Sequence, residues 1–238
     1  MLRFWDNATV APRKQGWTVL LDGKPLRIPG AARGGQELVL AAPALADAIA
    51  AEWQAAGGQK GDTVALDSVP LTRLAGTAQD RVAPAPGPVA LALAAYAESD
   101  LLCYRAQHPQ ALAIRQAQEW QPWLDWLEQA HGVRLDIAEG IVHRAQNPDA
   151  LVRIASVYHG LDPWVLAALG IAVPAMGSAV LGLALACGDL DAPTAYAVSS
   201  LDELFQMEKW GEDAEAAHRR QQVREDLGLA ERFIRLSR

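Results

Sequence analysis

The stretch that decides the fold is residues 163–188, which read PWVLAALGIAVPAMGSAVLGLALACG and contain no Asp, Glu, Lys or Arg. An apolar run near the ~20 residues of a membrane-spanning helix can cross a bilayer or form a core. Pro174 in its middle, with Gly170 before it and Gly177 after it, predicts two short helices that break at Pro174.

The flanks of this stretch also favour a core. Asp162 and Asp189 stand at its two ends, whereas Lys or Arg usually marks the cytoplasmic side of a span. The second half is rich in small residues that allow neighbouring helices to approach, namely Ala175, Gly177, Ser178, Gly182 and Ala186. We therefore interpret the stretch as the buried centre of a helical domain. A membrane-associated protein is the alternative.

Bulk composition limits the classes of protein further. The 238 residues are 51% hydrophobic and carry a net charge of −7, which argues against a general nucleic-acid binder. Cys103 and Cys187 form no CxxC motif and lie among apolar residues, which predicts two buried thiols. Residues 1–6 lack the apolar region of a signal peptide, so we expect a cytoplasmic protein.

The N-terminal third predicts a small antiparallel sheet. Apolar residues alternate over residues 16–29, and Asp22-Gly23 is a two-residue hairpin turn. Residues 3–10, 37–40 and 63–66 are weaker strand candidates. Two helices follow from apolar spacing, over residues 43–57 and 69–82.

Three prolines within residues 84–88 interrupt the helical pattern, and everything after them is typical of helix. The sequence therefore predicts an α+β protein. A β-rich domain with two helices spans residues 1–83, a proline linker spans 84–88, and a larger all-α domain spans 89–238.

Residues 200–220, SLDELFQMEKWGEDAEAAHRR, predict a helix with two apolar faces. Leu201, Leu204 and Phe205 share one face, at about 100° per residue. The opposite face carries Gln206, Met207, Trp210 and Ala214. Such a helix lies within a core or offers one face to a partner. Gly211 could instead end the helix.

Acidic residues gather beside Trp210, where Glu208, Glu212 and Asp213 follow one another closely. One interpretation is an acidic face in contact with solvent. The other is an acidic patch that, with Trp210, meets a basic and partly apolar surface.

Catalytic, nucleotide-binding and metal motifs are missing from the sequence. The five histidines show no ligand spacing, so we expect no metal and no cofactor. Cys103 among leucines predicts an inert thiol. A binding protein is therefore favoured over an enzyme. The alternative is a small-molecule enzyme with its site in a cleft between the two predicted domains.

Several short motifs resemble one family when taken in order. They are LDGKPL at 21–26, IAAEW at 49–53, PLTRLA at 70–75 with Thr77, Ala78 and Asp80, SDLLCYR at 99–105, FQ at 205–206 and WGED at 210–213. In this order and spacing the chain is similar to the assembly chaperones of the F-type ATP synthase catalytic head, found in mitochondria and alphaproteobacteria. These chaperones handle the alpha subunit.

The resemblance implies a function without chemistry. A chaperone of this type binds unassembled alpha subunit transiently, masks its beta-contact surface and leaves when beta arrives. The resemblance also implies that Glu212 is important for function, with Trp210 and Asp213 beside it. Gln206 and Met207 lie on the same helix face as Trp210. We expect a monomer when free, with neither nucleic acid nor stable membrane insertion. Glu52 and Trp53 are also typical of the family, and we interpret them as structural.

Overall fold

The computed structural model describes residues 1–28, 35–140, 142–211 and 214–238. Its strands are β1 Ala8–Arg13, β2 Gly16–Leu21, β3 Lys24–Pro25, β4 Arg27–Ile28, β5 Gln36–Glu37, β6 Tyr104–Arg105 and β7 Ala138–Glu139. Its α-helices are α1 Pro43–Ala55, α2 Pro70–Thr77, α3 Pro86–Ala94, α4 Gln110–His131, α5 Pro148–His159, α6 Pro163–Met176, α7 Ala179–Cys187, α8 Ala192–Ser199, α9 Leu201–Trp210 and α10 Ala214–Leu236. A small antiparallel sheet region followed by helices confirms the predicted α+β class.

The sheet is built around the predicted hairpin. Strands β1, β2 and β3 pair antiparallel in that order, and Leu21 pairs with Lys24 across the turn. Asp22 and Gly23 adopt φ of 46° and 78°, the two positive values that a type I′ turn requires. The hairpin is therefore confirmed over Gly16 to Pro25, whereas Arg27 and Ile28 pair with β5 in a second sheet, and Pro29 lies outside the described residues.

The weaker strand predictions need correction. Strand β1 begins only at Ala8 and continues to Arg13, past the predicted end at residue 10. Strand β5 is limited to Gln36–Glu37, and residues 63–66 form no strand beyond one isolated bridge from Thr63. Trp5 of the first segment packs instead against Trp53 of α1, so its burial does not require a ladder.

Helices α1 and α2 are joined through a partly buried carboxylate. The two oxygens of Glu52 accept hydrogen bonds from the backbone N–H groups of Leu71 at 2.8 Å and Thr72 at 3.1 Å, in the first turn of α2. Burial raises the pKa of Glu52. Trp53 Nε1 donates to Thr72 Oγ1 at 2.9 Å, and Trp5 Nε1 donates to the Trp53 carbonyl at 3.0 Å. Glu52 and Trp53 thus have structural partners.

The apolar stretch forms two helices, but the break lies at Gly177 and not at the predicted Pro174. Helix α6 continues through Pro174, and the Gly177 N–H donates to the Val173 carbonyl at 2.8 Å. Gly177 then adopts φ +63°, a left-handed conformation that ends helices, and the Ser178 hydroxyl caps α7 by accepting from Leu181 N–H. A proline near a helix end removes one hydrogen bond without stopping the helix.

Burial confirms that this stretch is a core element. Every residue of α7 from Ala179 to Ala186 is buried. Gly182 makes this packing possible, because a Cβ there would meet Val173 Cγ2 and, at 2.8 Å, Tyr158 Oη. In the part of the chain that the structure describes, no helix has both the length and the apolarity needed to cross a membrane. Cys187, predicted to be buried, is exposed at the end of α7, whereas Cys103 is buried.

Contacts divide the chain into two compact units. The first unit contains Met1–Ala85, Pro163–Ala168 and Arg232–Arg238. The second contains Pro86–Asp162 and Leu169–Glu231. Of the proline-rich residues 84–88, Pro86 already belongs to the first turn of α3, where a missing N–H costs no hydrogen bond.

Candidate functional site

Helix α9 is fixed on one face by its apolar residues and by polar contacts near its start. Leu201 and Phe205 are buried, at 2% and 7% exposure. The Gln116 amide of α4 donates to Asp202 Oδ1 in the first turn of α9 at 2.7 Å, and Trp120 Nε1 donates at 2.9 Å to the carbonyl of Val198 in α8, directly before α9. Gln116 and Trp120 are themselves buried, so α4 provides a rigid support for α9.

An ion pair extends this inner face toward the end of α9. Glu208 follows Leu201, Leu204 and Phe205 at helical spacing, and its carboxylate oxygens lie 2.8 and 3.0 Å from Arg115 Nη1 of α4. Glu208 therefore belongs to the face that contacts α4. The acidic group predicted beside Trp210 does not include Glu208, because Arg115 pairs with its charge.

The opposite face of α9 is open to solvent. Trp210 is 79% exposed, the largest exposed fraction among the exposed large hydrophobic residues that the structure describes. Gln206, one turn earlier, is exposed, and Met207 is partly buried. The spacings of three and four residues place both side chains on the Trp210 side of the helix. The structure thus brings Gln206, Met207 and Trp210 to one surface.

Helix α9 ends directly after Trp210. Gly211 adopts φ +85° and ψ 178°, a region available almost only to glycine, and its N–H donates to the Met207 carbonyl at 2.9 Å. The alternative that Gly211 breaks the helix is therefore confirmed. Glu212 and Asp213 lie outside the described residues, so their place at this surface stays a prediction. We use the name Trp210 surface for Gln206, Met207 and Trp210.

A second set of polar groups is buried beneath the 99–105 motif. Asp100 is fully buried, and its carboxylate accepts from the N–H groups of Leu102 and Val180, each at 3.1 Å. Burial raises its pKa to about 6, while these hydrogen bonds act in the opposite direction. Because Val180 lies in the first turn of α7, Asp100 joins the 99–105 motif to the start of that helix.

Two groups that interact with the Asp100 charge, Cys103 of the motif and Tyr158 of α5, are buried as well. Burial, with the Asp100 charge, raises the pKa of Cys103 to about 12, so the thiol is protonated at neutral pH. Burial likewise raises the pKa of Tyr158, whose hydroxyl donates to the Ala179 carbonyl at 2.8 Å. These groups provide neither a nucleophile nor an accessible base, so they do not support the alternative of an enzyme.

Arg115, Gln116 and Asp100 are the residues that sequence reasoning missed. Arg115 and Glu208 are 93 positions apart, and no spacing rule connects them. One feature of the sequence could have pointed to Asp100, because it is a charged residue of the 99–105 motif that directly precedes the apolar residues Leu101 and Leu102. Among the described residues, no group of three or more His, Cys, Asp or Glu side chains is arranged to hold a metal ion.

Comparison with known proteins agrees with this architecture. The crystal structure of Atp12 from Paracoccus denitrificans is 41% identical in sequence, with a TM-score of 0.92 over 100% of this chain and 98% of that one. The structure of the Atu1473 protein from Agrobacterium tumefaciens is 39% identical, with a TM-score of 0.89 over 100% of this chain and 86% of that one.

Sequence relatives point the same way. The mitochondrial protein atp12 of Schizosaccharomyces pombe is 26% identical over 225 residues, which is 89% of this chain and 75% of that protein. Residues 2–128 match the family described as ATP12 chaperone protein, which is more than half of the chain. The chain therefore belongs to the ATP12 chaperone family, the ATP synthase assembly chaperones that its sequence motifs resemble.

Proposed function

We propose that this chain assists assembly of the F-type ATP synthase catalytic head by binding the unassembled alpha subunit through the Trp210 surface. The observation that carries the proposal is the 79% exposure of Trp210 at the end of a helix whose other face is fixed to α4. A large aromatic side chain that a rigid helix presents to water is well suited to anchor a protein partner. Membership of the ATP12 chaperone family supports the choice of partner.

The proposed action is to mask the surface of alpha that later contacts beta. An exposed apolar interface aggregates, so the free subunit needs a cover until beta arrives. The cover must bind more weakly than beta, which suits a small surface made of one tryptophan, Met207 and polar groups. Glu212 and Asp213, which follow Gly211 directly, would add carboxylates for a basic partner surface.

This function requires binding alone, so we infer that the chain is not an enzyme and uses neither a metal nor a cofactor. The buried state of Asp100 and Cys103 supports that inference. We place the protein in a bacterial cytoplasm, because the structural relatives come from Paracoccus and Agrobacterium. The Schizosaccharomyces pombe relative is a mitochondrial protein. We expect a monomer when no client is bound.

Co-expression with the ATP synthase alpha subunit, alone and with beta, tests the proposal. Alpha expressed with this chain should be recovered in the soluble fraction as a complex, and beta should dissolve that complex. Alpha that stays insoluble, with no complex recovered, would contradict the proposal.

Two variants separate the surface from the fold. Trp210→Ala and Glu212→Lys should both weaken recovery of the complex, because the first removes the anchor and the second reverses a charge that a basic partner would meet. Val152→Ala is the matched control, since Val152 is also apolar and is 68% exposed on α5. Equal recovery with all three variants would place the alpha contact elsewhere on the chain.

A further inference from the structure

The first unit contains a groove that the Trp210 surface does not use. It has a volume of about 620 Å³, within the ~300–1,000 Å³ of ligand pockets. Its floor is made by the buried side chains of Ile28, Trp53, Val69 and Thr72. Helix α2 forms one wall, where Gly76 leaves room because a Cβ there would come within 3.3 Å of Ile28.

The rim of this groove is cationic although the chain is acidic. Three exposed arginines, Arg27, Arg73 and Arg81, line it together with one aspartate, Asp80. The whole chain has a net charge of −7. A local excess of positive charge on an acidic protein attracts anionic groups and repels cationic ones.

These cations are available to a new partner. Arg73 Nη1 lies 2.6 Å from Asp67 Oδ1, but the two side chains are 58% and 90% exposed, so water already weakens that pair. Arg27 donates to the Gly35 carbonyl at 3.0 Å. Within the described residues, neither Arg27 nor Arg81 forms an ion pair with a carboxylate. The one aspartate of the rim, Asp80, already accepts a hydrogen bond from the Gln36 amide at 3.2 Å.

The groove continues into exposed apolar surface. Met1 and Leu66 line it and are 54% and 64% exposed. A small anionic molecule bound among the arginines would leave these side chains in water. A polypeptide segment that continues past the groove would cover them, and burial of that apolar area would add to its affinity.

We propose that this groove binds a short polypeptide segment in which apolar side chains alternate with carboxylates. The apolar side chains enter the space above Trp53 and Val69, and the carboxylates meet Arg27, Arg73 and Arg81. This inference goes beyond the proposed function, because it concerns a different surface and does not depend on which protein supplies the segment.

Fluorescence anisotropy with labelled synthetic peptides tests the proposal on the full chain. Three probes of equal length are used, in which leucine alternates with glutamate, with lysine or with serine. The glutamate peptide should bind at least about tenfold more tightly than the other two, and added salt should weaken its binding. Equal binding of the serine peptide, or preference for the lysine peptide, would overturn the proposal.

Variants assign the binding to this groove. Arg81→Glu and Leu66→Ser should each weaken binding of the glutamate peptide, while Lys14→Glu should not. Lys14 is an exposed cation of the same unit, in the turn between β1 and β2, so it controls for the change in net charge. Unchanged affinity in Arg81→Glu and Leu66→Ser would place the peptide elsewhere. Concentration-dependent self-association that Arg81→Glu abolishes would instead make a second copy of this chain the occupant.

Discussion

The carboxylate of Glu208 on α9 lies 2.8 Å from Nη1 of Arg115 on α4, across 93 residues of sequence. This contact assigns Glu208 to the inner face of α9. Trp210, two residues later, lies on the opposite, solvent-exposed face of the helix. The acidic group predicted beside Trp210 is therefore smaller than the sequence indicates, and the place of Glu212 and Asp213 in it stays a prediction.

A double-mutant cycle should give a small coupling free energy between Arg115 and Glu208. The two side chains are 39% and 53% exposed, so screening by water limits the pair to ~0.2–1 kcal/mol. Arg115→Ala, Glu208→Ala and the double variant are compared by urea unfolding at low and high salt. The coupling should shrink at high salt. A salt-independent coupling well above that range would mean that the pair is shielded from solvent.

Replacement of Trp210 should hardly change folding, in contrast to replacement of Trp120. Trp210→Ala removes a side chain that is 79% exposed, so the free energy of unfolding should change by less than ~0.5 kcal/mol. Trp120 is fully buried and bonds to the Val198 carbonyl, so Trp120→Ala should cost ~3–5 kcal/mol. Chemical denaturation measures both. A large loss in Trp210→Ala would show that Trp210 supports the fold.

Two glycines of the apolar stretch should respond to alanine in opposite directions. At Gly182 a Cβ would meet Val173 and, at 2.8 Å, Tyr158 Oη, so Gly182→Ala should destabilise the protein by ~1–3 kcal/mol. At Gly170, inside α6 and exposed, the added Cβ would have no heavy atom within 4 Å other than the adjoining backbone and chain neighbours of its own helix. Gly170→Ala should stabilise by ~0.5–1 kcal/mol, since alanine is the better helix former.

Thermal unfolding of the two glycine variants provides the comparison. The midpoint of Gly182→Ala should fall and that of Gly170→Ala should rise. The same direction of change in both variants would contradict the packing described for α7.

Asp100 should make stability depend on pH in a direction unusual for an acidic residue. Burial raises its pKa to about 6 from 3.8, so the folded state binds its proton more tightly than the unfolded state. The stabilisation is complete below pH 4 and is lost as the pH rises through 6, by at most ~3 kcal/mol. Tyr158 and Cys103, which interact with the Asp100 charge, keep their protons across this range.

The difference in unfolding free energy between the wild type and Asp100→Asn measures this effect. The wild type should lose stability relative to the variant between pH 4 and 6, because asparagine does not titrate. If the wild type instead gains stability as the pH rises, the hydrogen bonds from Leu102 and Val180 outweigh burial and the carboxylate pKa is lowered.

Local sequence patterns predicted the elements that depend on local chemistry. The Asp22-Gly23 hairpin and the common face of Gln206, Met207 and Trp210 on α9 follow from turn and periodicity rules. The resemblance to a family then connected these elements to a function. The break in the apolar stretch was misplaced because Pro174 suggested a stop, whereas Gly177 supplies the left-handed residue that ends α6.

Contacts between distant segments could not be predicted. The Arg115–Glu208 pair and the Asp100–Val180 hydrogen bond each depend on how helices pack, and a single sequence does not reveal which charge will find which partner. The groove beside Arg81 has the same origin, because strand β4 and helix α2 contribute to it from positions far apart in the chain. Cys187 was predicted to be buried because its neighbours in the sequence are apolar. It is exposed because it stands at the end of α7.

The first unit combines segments from both ends of the chain, which determines when it can fold during synthesis. Trp164 and Phe233, whose rings stack 6.0 Å apart, both belong to this unit together with Met1–Ala85. Although folding during translation usually proceeds from the N-terminus, this unit cannot be completed until Phe233 has left the ribosome. Its earlier residues must wait with part of their apolar surface uncovered, so the chaperone itself passes through the vulnerable stage from which it is proposed to protect its client.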